Sequence, residues 1–375
     1  MADARATNER RVRRLEQMKT NGSAGAASGT LKAFWHGGRR PAHIVVRSAL
    51  LKPVEGGPLL TRLVLPRGVA LRFYLLALFE AQCRLAVGGQ WENVLPLSGP
   101  GSWSDMIASD GAYDGKSGTY MRGTRGGRAA EDLRLRQVQG ALRTLEEVGG
   151  ERPDQALVEI PRGSRGQRLY PSFRLLQESG RGSHQSPDIY TVPADHWHPS
   201  KTVTIPAAFF LNGWVQVLSP SEVATWLALR VLSKWAPDKH QQSGVFLYGD
   251  ARKEQFGLQR DAWEDGCQRL LDFGLIRFAR PMKDGEPAVP PTPNDWLMVL
   301  DQPEPRARYE PHRYQVIDEG LDQDAVKVCH RELTLRQHAL DRRAAEVQRQ
   351  QIGGPQQDVW PQWDGGEPEM RFEGV

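Results

Sequence analysis

The chain has 375 residues and a formal net charge of +4, long enough for two ordinary domains with tails. Its three cysteines are scattered with no CxxC spacing, and no apolar run approaches the ~20 residues of a membrane span. A charged start without a signal-peptide core completes the expectation of a cytoplasmic protein with no membrane contact.

Charge is unevenly spread. Residues 1–50 hold ten basic and three acidic side chains, whereas 301–375 is net acidic. Arg10, Arg11, Arg13 and Arg14 suggest a short helix, and the Gly/Ala/Ser run at 21–30 cannot bury a core by itself. Residues 1–59 therefore read as a flexible basic arm suited to a polyanionic partner.

The first predicted domain spans 60–176. A strand at Leu63-Val-Leu-Pro leads into a long helix over 66–83. The 114–128 segment is rich in glycine and arginine. Within it, Gly111-Ala-Tyr-Asp-Gly-Lys-Ser resembles a phosphate-binding loop, but it is one residue short and follows no convincing strand. Arg122, Arg125 and Arg128 suit either a basic loop laid on a phosphate backbone or a solvated surface loop. A third helix over 131–148 exposes Arg134, Arg136, Gln137, Gln139 and Arg143. Arg and Gln match guanine and adenine edges in the major groove, and they are also ordinary helix-surface residues. Next, 160–170 is turn-forming at its centre and strand-like at its flanks. That places Arg162, Arg165 and Arg168 at the tip of a β-hairpin, where a wing meets phosphates or the minor groove.

Residues 177–187 read as a polar Gly/Ser linker, and the second domain covers 188–302. Asp195-His-Trp-His lacks a third metal ligand and reads as a surface turn. Ser219, Pro220 and Glu222 form a capping-box signature at the head of a long apolar helix running to Pro237. A short helix over 251–256 ends at Gly257. A third helix over 261–273 turns Trp263, Cys267, Leu270 and Leu271 inward and stops at Gly274, and 275–278 is a strand. Gln259 and Arg260 stand at the third helix's amino end, where base contacts are made, with Arg269 further along. Asp261, Glu264 and Asp265 make its front half acidic, which disfavours entry into a groove. A second wing over 277–300 carries Arg277, Arg280 and Lys283 at its base. The polar tail, 303–375, contains one predicted helix over 322–350. Its incomplete stripe of Val326, Cys329, Leu333, Leu340 and Val347 suits docking on the body or self-association, and 351–375 has a disordered composition.

The two domains share a signature. A shift of 125 positions aligns Leu133, Val138, Ala141, Leu142, Leu145, Val148 and Gly149 with Leu258, Trp263, Gly266, Cys267, Leu270, Phe273 and Gly274. Long helix, short helix, third helix and hairpin is the winged helix-turn-helix pattern. The expected class is α+β, with two tandem copies. No nucleophile–base pair, paired-carboxylate motif or metal set stands at a recognisable spacing, and no catalytic cluster surrounds Tyr113, Tyr120 or Tyr170. A non-enzymatic protein without a cofactor is expected.

The repeated pattern, together with Ile205-Pro-Ala-Ala-Phe-Phe-Leu-Asn-Gly-Trp and Leu218-Ser-Pro-Ser-Glu-Val-Ala, resembles the tandem winged-helix replication initiators of bacterial plasmids and mobile elements over about 60–300. The resemblance implies double-stranded DNA as partner, contact with origin repeats and a homodimer through one domain, with replication or transcription machinery as a further expected partner. A transcriptional regulator would use the same contacts. A protein-interaction adaptor is the alternative from a different class. The DNA contacts implied on this chain are Arg134, Arg136, Gln139 and Arg143, then Gln259, Arg260 and Arg269.

Overall fold

The computed structural model describes residues 2–52, 57–64, 69–108, 112–114, 119–121, 127–194, 201–279 and 312–352. The chain is α+β, mostly helical with small antiparallel sheets. In order, the elements of the amino-terminal half are α1 (Ala2–Thr20), α2 (Ser23–Gly37), β1 (His43–Arg47), α3 (Leu59–Arg62), α4 (Ala70–Arg84), β2 (Ala112–Asp114), β3 (Thr119–Met121), α5 (Gly127–Glu146), β4 (Val158–Glu159) and β5 (Arg174–Leu175). The carboxy-terminal half contributes β6 (Thr202–Pro206), α6 (Ala207–Leu211), α7 (Trp214–Val217), α8 (Pro220–Trp235), α9 (Pro237–Gln242), α10 (Gly249–Phe256), α11 (Arg260–Asp272), β7 (Ile276–Phe278), β8 (Tyr314–Val316) and α12 (Ala325–Ile352).

Strand β1, which follows α2 in the first half, and β6, which opens the second, pair antiparallel with each other, from His43 opposite Pro206 to Arg47 opposite Thr202. A two-stranded ribbon leaves backbone groups on both outer edges that need partners. The long helix of each half supplies one. Gln82 on α4 accepts from the Val45 N–H at 2.8 Å and donates to its carbonyl at 2.7 Å. On the other edge Arg230 of α8 donates from Nε to the Thr204 carbonyl at 2.8 Å. Around the ribbon the halves share one core. Phe79 stacks on Phe210 at 4.7 Å, and the buried Gln216 side chain bonds the backbone of Ala108 and Met106 at 3.0 and 2.7 Å.

The long and third helices pack together in each half, α5 on α4 and α11 on α8. The capping box at Ser219 is complete, with Pro220 at the first helical position. At the end of α11, Leu275 N–H donates to the Leu270 carbonyl at 2.9 Å and Gly274 N–H to Leu271 at 3.0 Å. That is a Schellman motif, and Gly274 takes the left-handed φ of +71° it requires. The inward faces of the two third helices follow the 125-residue shift: Val138, Ala141, Leu142 and Leu145 are buried, as are Trp263, Gly266, Cys267 and Leu270. Helix α5 ends at Glu146, two residues before the expected 148, and the left-handed glycine after it is Gly150, φ +61°, rather than Gly149.

Strand order completes each half. In the second, β7 pairs with β8, and β8 bridges to Val245 in the connection between α9 and α10. In the first, β4 pairs with β5, Leu176 bridges to Ile189, and Thr191 bridges to Gln90 after α4. The return strand β8 thus lies beyond the expected end of the second domain at 302, and the tail begins later than its composition indicated.

Three further expectations are corrected. Residues 1–59 are not a flexible arm. Leu15, Met18, Ala24, Ala27 and Leu31 are buried, because α1 packs on α12 and α2 packs on α6 and the turn at 103–106. Helix α1 runs antiparallel to α12, joined by Arg5 to Asp341 at 2.6 Å, Asn8 to the Leu333 carbonyl at 2.9 Å and Glu16 to His330 at 3.4 Å. Of the two roles open to the tail helix, docking on the body is the one observed, with Val328, Cys329 and Leu333 buried. Leu63 is not in a strand but closes the helical turn of α3, since its half's ribbon strand is β1. The polar stretch after Leu176 is no free linker at its start. Glu178 is fully buried, accepting from the Arg47 N–H at 3.0 Å and Nη1 at 2.7 Å. Among the described residues no helix is long and apolar enough to cross a membrane.

Candidate nucleic-acid interface

Arg136, Gln139 and Arg143 recur at three- and four-residue spacing and share one face of α5. Arg136 and Arg143 are exposed, and Gln139 is half-buried. Beside them is a recess of about 570 Å³ lined by Arg136, Gln137, Arg143, Thr144, Glu147 and Arg168, among others. Arg134 is on a different face. It turns toward the helical turn at 103–106, with Nη1 3.8 Å from Asp105, and is only a quarter exposed.

The hairpin after α5 forms as its sequence predicts. Arg162 bridges to Arg168, Gly163 N–H donates to the Gln167 carbonyl at 2.8 Å, and Gly166 turns the chain at φ +76°. The three arginines are not equivalent. Arg168 donates from Nε to Glu146 at 2.7 Å and also pairs with Glu147. Arg162 reaches Glu146 at 3.4 Å. The hydrogen bond that Arg168 donates to Glu146, ahead of the carboxylate's charge, holds the Arg168 pKa above the ordinary arginine range. Arg165 is at the tip and exposed, and its backbone N–H is capped by Gln167 Oε1 at 3.1 Å. Glu146 therefore fastens the hairpin to the carboxy end of α5, and Arg165 is the guanidinium of the three left projecting.

Sequence reasoning missed this clasp, although a signal was present. Two carboxylates in the last turn of a helix oppose its dipole, and such a placement asks for nearby cations. The arginines of the following hairpin supply them.

The carboxy-terminal half differs. Gln259 is the exposed residue preceding α11, and Arg260 is exposed but bonds Glu264 at 2.7 Å. Asp261, Glu264 and Asp265 are all exposed. Arg269, expected on the outer face, is turned inward and is 15% exposed, pairing with Asp272 at 3.3 Å. Burial first, then the nearby charges of Arg336 and Arg11, push its pKa down. Helix α12 covers this side of α11, with Arg336 3.5 Å from Asp272. Nearby, Arg11 of α1 is committed to a buried pair with Glu222, its Nη2 2.6 Å from Oε2. Arg277 is exposed on β7 and donates to Gln315 at 3.0 Å.

Among the expected contacts, Arg122, Arg125 and Arg280 lie outside the described residues, as do Lys116, Ser117, Lys283 and 195–198. Arg128 is in the first turn of α5 by its backbone. Strand β2 lies within the segment compared with a phosphate-binding loop and pairs with β3, whereas such a loop joins a strand to a helix. Among the described residues no three His, Cys, Asp or Glu side chains are placed to hold a metal ion.

The site therefore gathers Arg136, Gln139 and Arg143 on one helix face beside Arg165 at a hairpin tip, and leaves Arg134 and Arg269 out of it. Comparison with family models, curated proteins and solved structures finds no match.

Proposed function

We propose that the chain binds duplex DNA sequence-specifically through two winged helix-turn-helix halves, with the amino-terminal half making the principal base contacts. The observation that carries the reading is the juxtaposition of Arg136, Gln139 and Arg143 on the exposed face of α5 with Arg165 at the tip of the adjoining hairpin. In such a module the third helix enters the major groove and the hairpin lies along the neighbouring backbone. Arg136, Gln139 and Arg143 then read base edges, and Arg165 fixes register on phosphate. Gln259 and Arg277 in the second half are placed for backbone contacts. The winged-helix assignment is supported in the second half by the order α8, α10, α11, β7, β8 and by the β7–β8–Val245 arrangement, in which a residue between the first and second helices pairs with the returning strand; in the first half a helical turn at 103–106 and the β2–β3 pair stand between α4 and α5.

Initiation of replication at repeats of a plasmid or mobile-element origin is the preferred role. It is supported by the resemblance of 205–224 and of the repeated pattern to tandem winged-helix initiators. Transcriptional control of such an element uses the same contacts; direct repeats beside the gene favour the first role and a divergent promoter the second. The test of DNA binding is fluorescence anisotropy of the full chain with duplex from its own upstream region and with a scrambled duplex, at two salt concentrations. Salt-sensitive binding that prefers the native duplex supports the reading. No binding at low salt refutes it.

A further inference from the structure

A second basic surface stands apart from α5. Between residues 17 and 54 the chain has Lys19, Lys32, Arg39, Arg40, Arg47 and Lys52 and no Asp or Glu. Arg47 is committed to the buried Glu178. The turn from the end of α2 into β1 presents its charge outward instead. His36, Arg39, Arg40 and His43 are exposed, as is Lys32 one helical turn before His36 on α2. Among the described residues neither Lys32 nor Arg39 has a side-chain partner.

The turn is fixed to the end of α4. Arg39 N–H donates to the Cys83 carbonyl at 2.7 Å. Gly38 lies so close to the same carbonyl that a Cβ would stand 2.2 Å from its oxygen. Trp35 Nε1 donates to the Pro41 carbonyl at 3.0 Å. Arg40 takes a φ of +53°, a conformation L side chains rarely adopt, and its Nε and Nη2 donate to the His36 carbonyl at 3.1 and 3.0 Å.

Charge and the lack of an apolar anchor select the occupant. Of the elements against the turn, α6 and β6 have no carboxylate. Glu80 of α4 is buried and bonded to Arg84 and Trp91 at 2.5 and 2.9 Å. In the connection after α4, Glu92 is the only acidic residue of 85–97 and is outnumbered by Lys32, Arg39 and Arg40. A lipid surface or a protein partner calls for an exposed apolar anchor. Phe34 and Trp35, the two large apolar side chains of 32–43, are half-buried against the core. A phosphate backbone needs only the cations.

We propose that the α2–β1 turn makes a second, sequence-independent contact to the phosphate backbone of duplex DNA, through Lys32, Arg39 and Arg40. The turn rests on Cys83 at the carboxy end of α4, whereas Val69 and Ala70 at its amino end line the recess beside Arg136 and Arg143. The 15 residues of α4 separate the two surfaces by about 20 Å. This contact rests on the DNA reading and adds to it a surface that α5 does not share.

The full chain and its Lys32→Glu, Arg39→Glu variant are titrated by anisotropy against native and scrambled duplexes over a salt series. Two lost phosphate contacts should flatten the slope of log Kd against log salt by about 2 and weaken both duplexes about tenfold. The ratio of the two affinities should stay the same, because phosphates carry no sequence information. Lys32→Gln with Arg39→Gln should give a smaller loss of the same kind, and thermal unfolding checks that both variants keep the fold. Unchanged affinity and slope overturn the proposal and leave the α5 reading intact. A changed native-to-scrambled ratio overturns it as well, since the turn would then contact bases. Phosphatidylserine vesicles are a further probe: binding that the Glu variant loses, with duplex affinity unchanged, would make a lipid surface the partner. Arg136→Glu with Arg143→Glu separates the two readings. If that variant keeps its duplex affinity while the turn variant loses it, the α5 reading fails alone. No duplex binding by the wild-type chain refutes both.

Discussion

Glu146→Gln separates two opposite expectations for the amino-terminal interface. Glu146 accepts from Arg168 Nε at 2.7 Å and from Arg162 at 3.4 Å, and its own side chain is 17% exposed. Glutamine keeps the size and one acceptor oxygen but removes the charge. Both arginines are partly solvated, so the charge-assisted component is discounted for screening. The anchoring lost is about 1–2 kcal/mol, a change of about 5–30-fold in the ratio of docked to undocked hairpin. If only net charge mattered, removing a carboxylate beside the duplex would tighten binding to every sequence. If the clasp positions Arg165 on phosphate, the variant loses affinity despite its more favourable charge. Anisotropy with native and scrambled duplexes should show both affinities falling several-fold. Tryptic cleavage after Arg165 should accelerate in the free protein. Parallel tightening on both duplexes, with unchanged cleavage, would refute the clasp.

Three other outcomes are expected. Arg165→Glu should weaken binding to native and scrambled duplexes alike and flatten the salt dependence, read by anisotropy across a salt series. Arg47→Ala leaves Glu178 buried without its ion-pair partner; denaturant unfolding should show a loss of about 3–5 kcal/mol. Finally, His240 Nε2 accepts the Val316 N–H at 2.8 Å, which requires the neutral ring. Burial first, then the charge of Arg230, lowers its pKa in the fold. The unfolded chain therefore takes up this proton first as pH falls. Stability attributable to His240 should be full above about pH 6.5 and decline as pH drops toward the folded pKa. Thermal unfolding of His240→Gln, which keeps an acceptor without titrating, should lack that step.

Local chemistry explains what was legible beforehand. The helix begun at Ser219 and the third helix ended at Gly274 are written in their caps. Hydrogen bonds within a few residues of each end suffice to fix them. The inward faces at 138–145 and 263–270 follow from helical spacing, because burying an apolar stripe decides which side turns in. The hairpin at 162–168 was visible because Gly163 and Gly166 permit its turn. Elements whose stability comes from distant partners were not visible. The Gly/Ala/Ser run at 21–30 has low local preference for order, and its helix is held where Ala24 and Ala27 are buried against the body. Glu178 looked like a linker residue until Arg47, distant in sequence, met it in the core.

The sequence by itself determined an α+β chain with two similar runs of helices and a basic hairpin. Spacing, caps and turn residues are properties of neighbours along the chain. Only the tertiary structure decided which charged residues face outward. Arg269 and Arg143 look alike on their helices, yet α12 folds over the first and nothing described covers the second. Glu146 likewise became a clasp only when the hairpin returned to it. Exposure and ion pairing depend on segments far apart in sequence, and no periodicity within one helix encodes them.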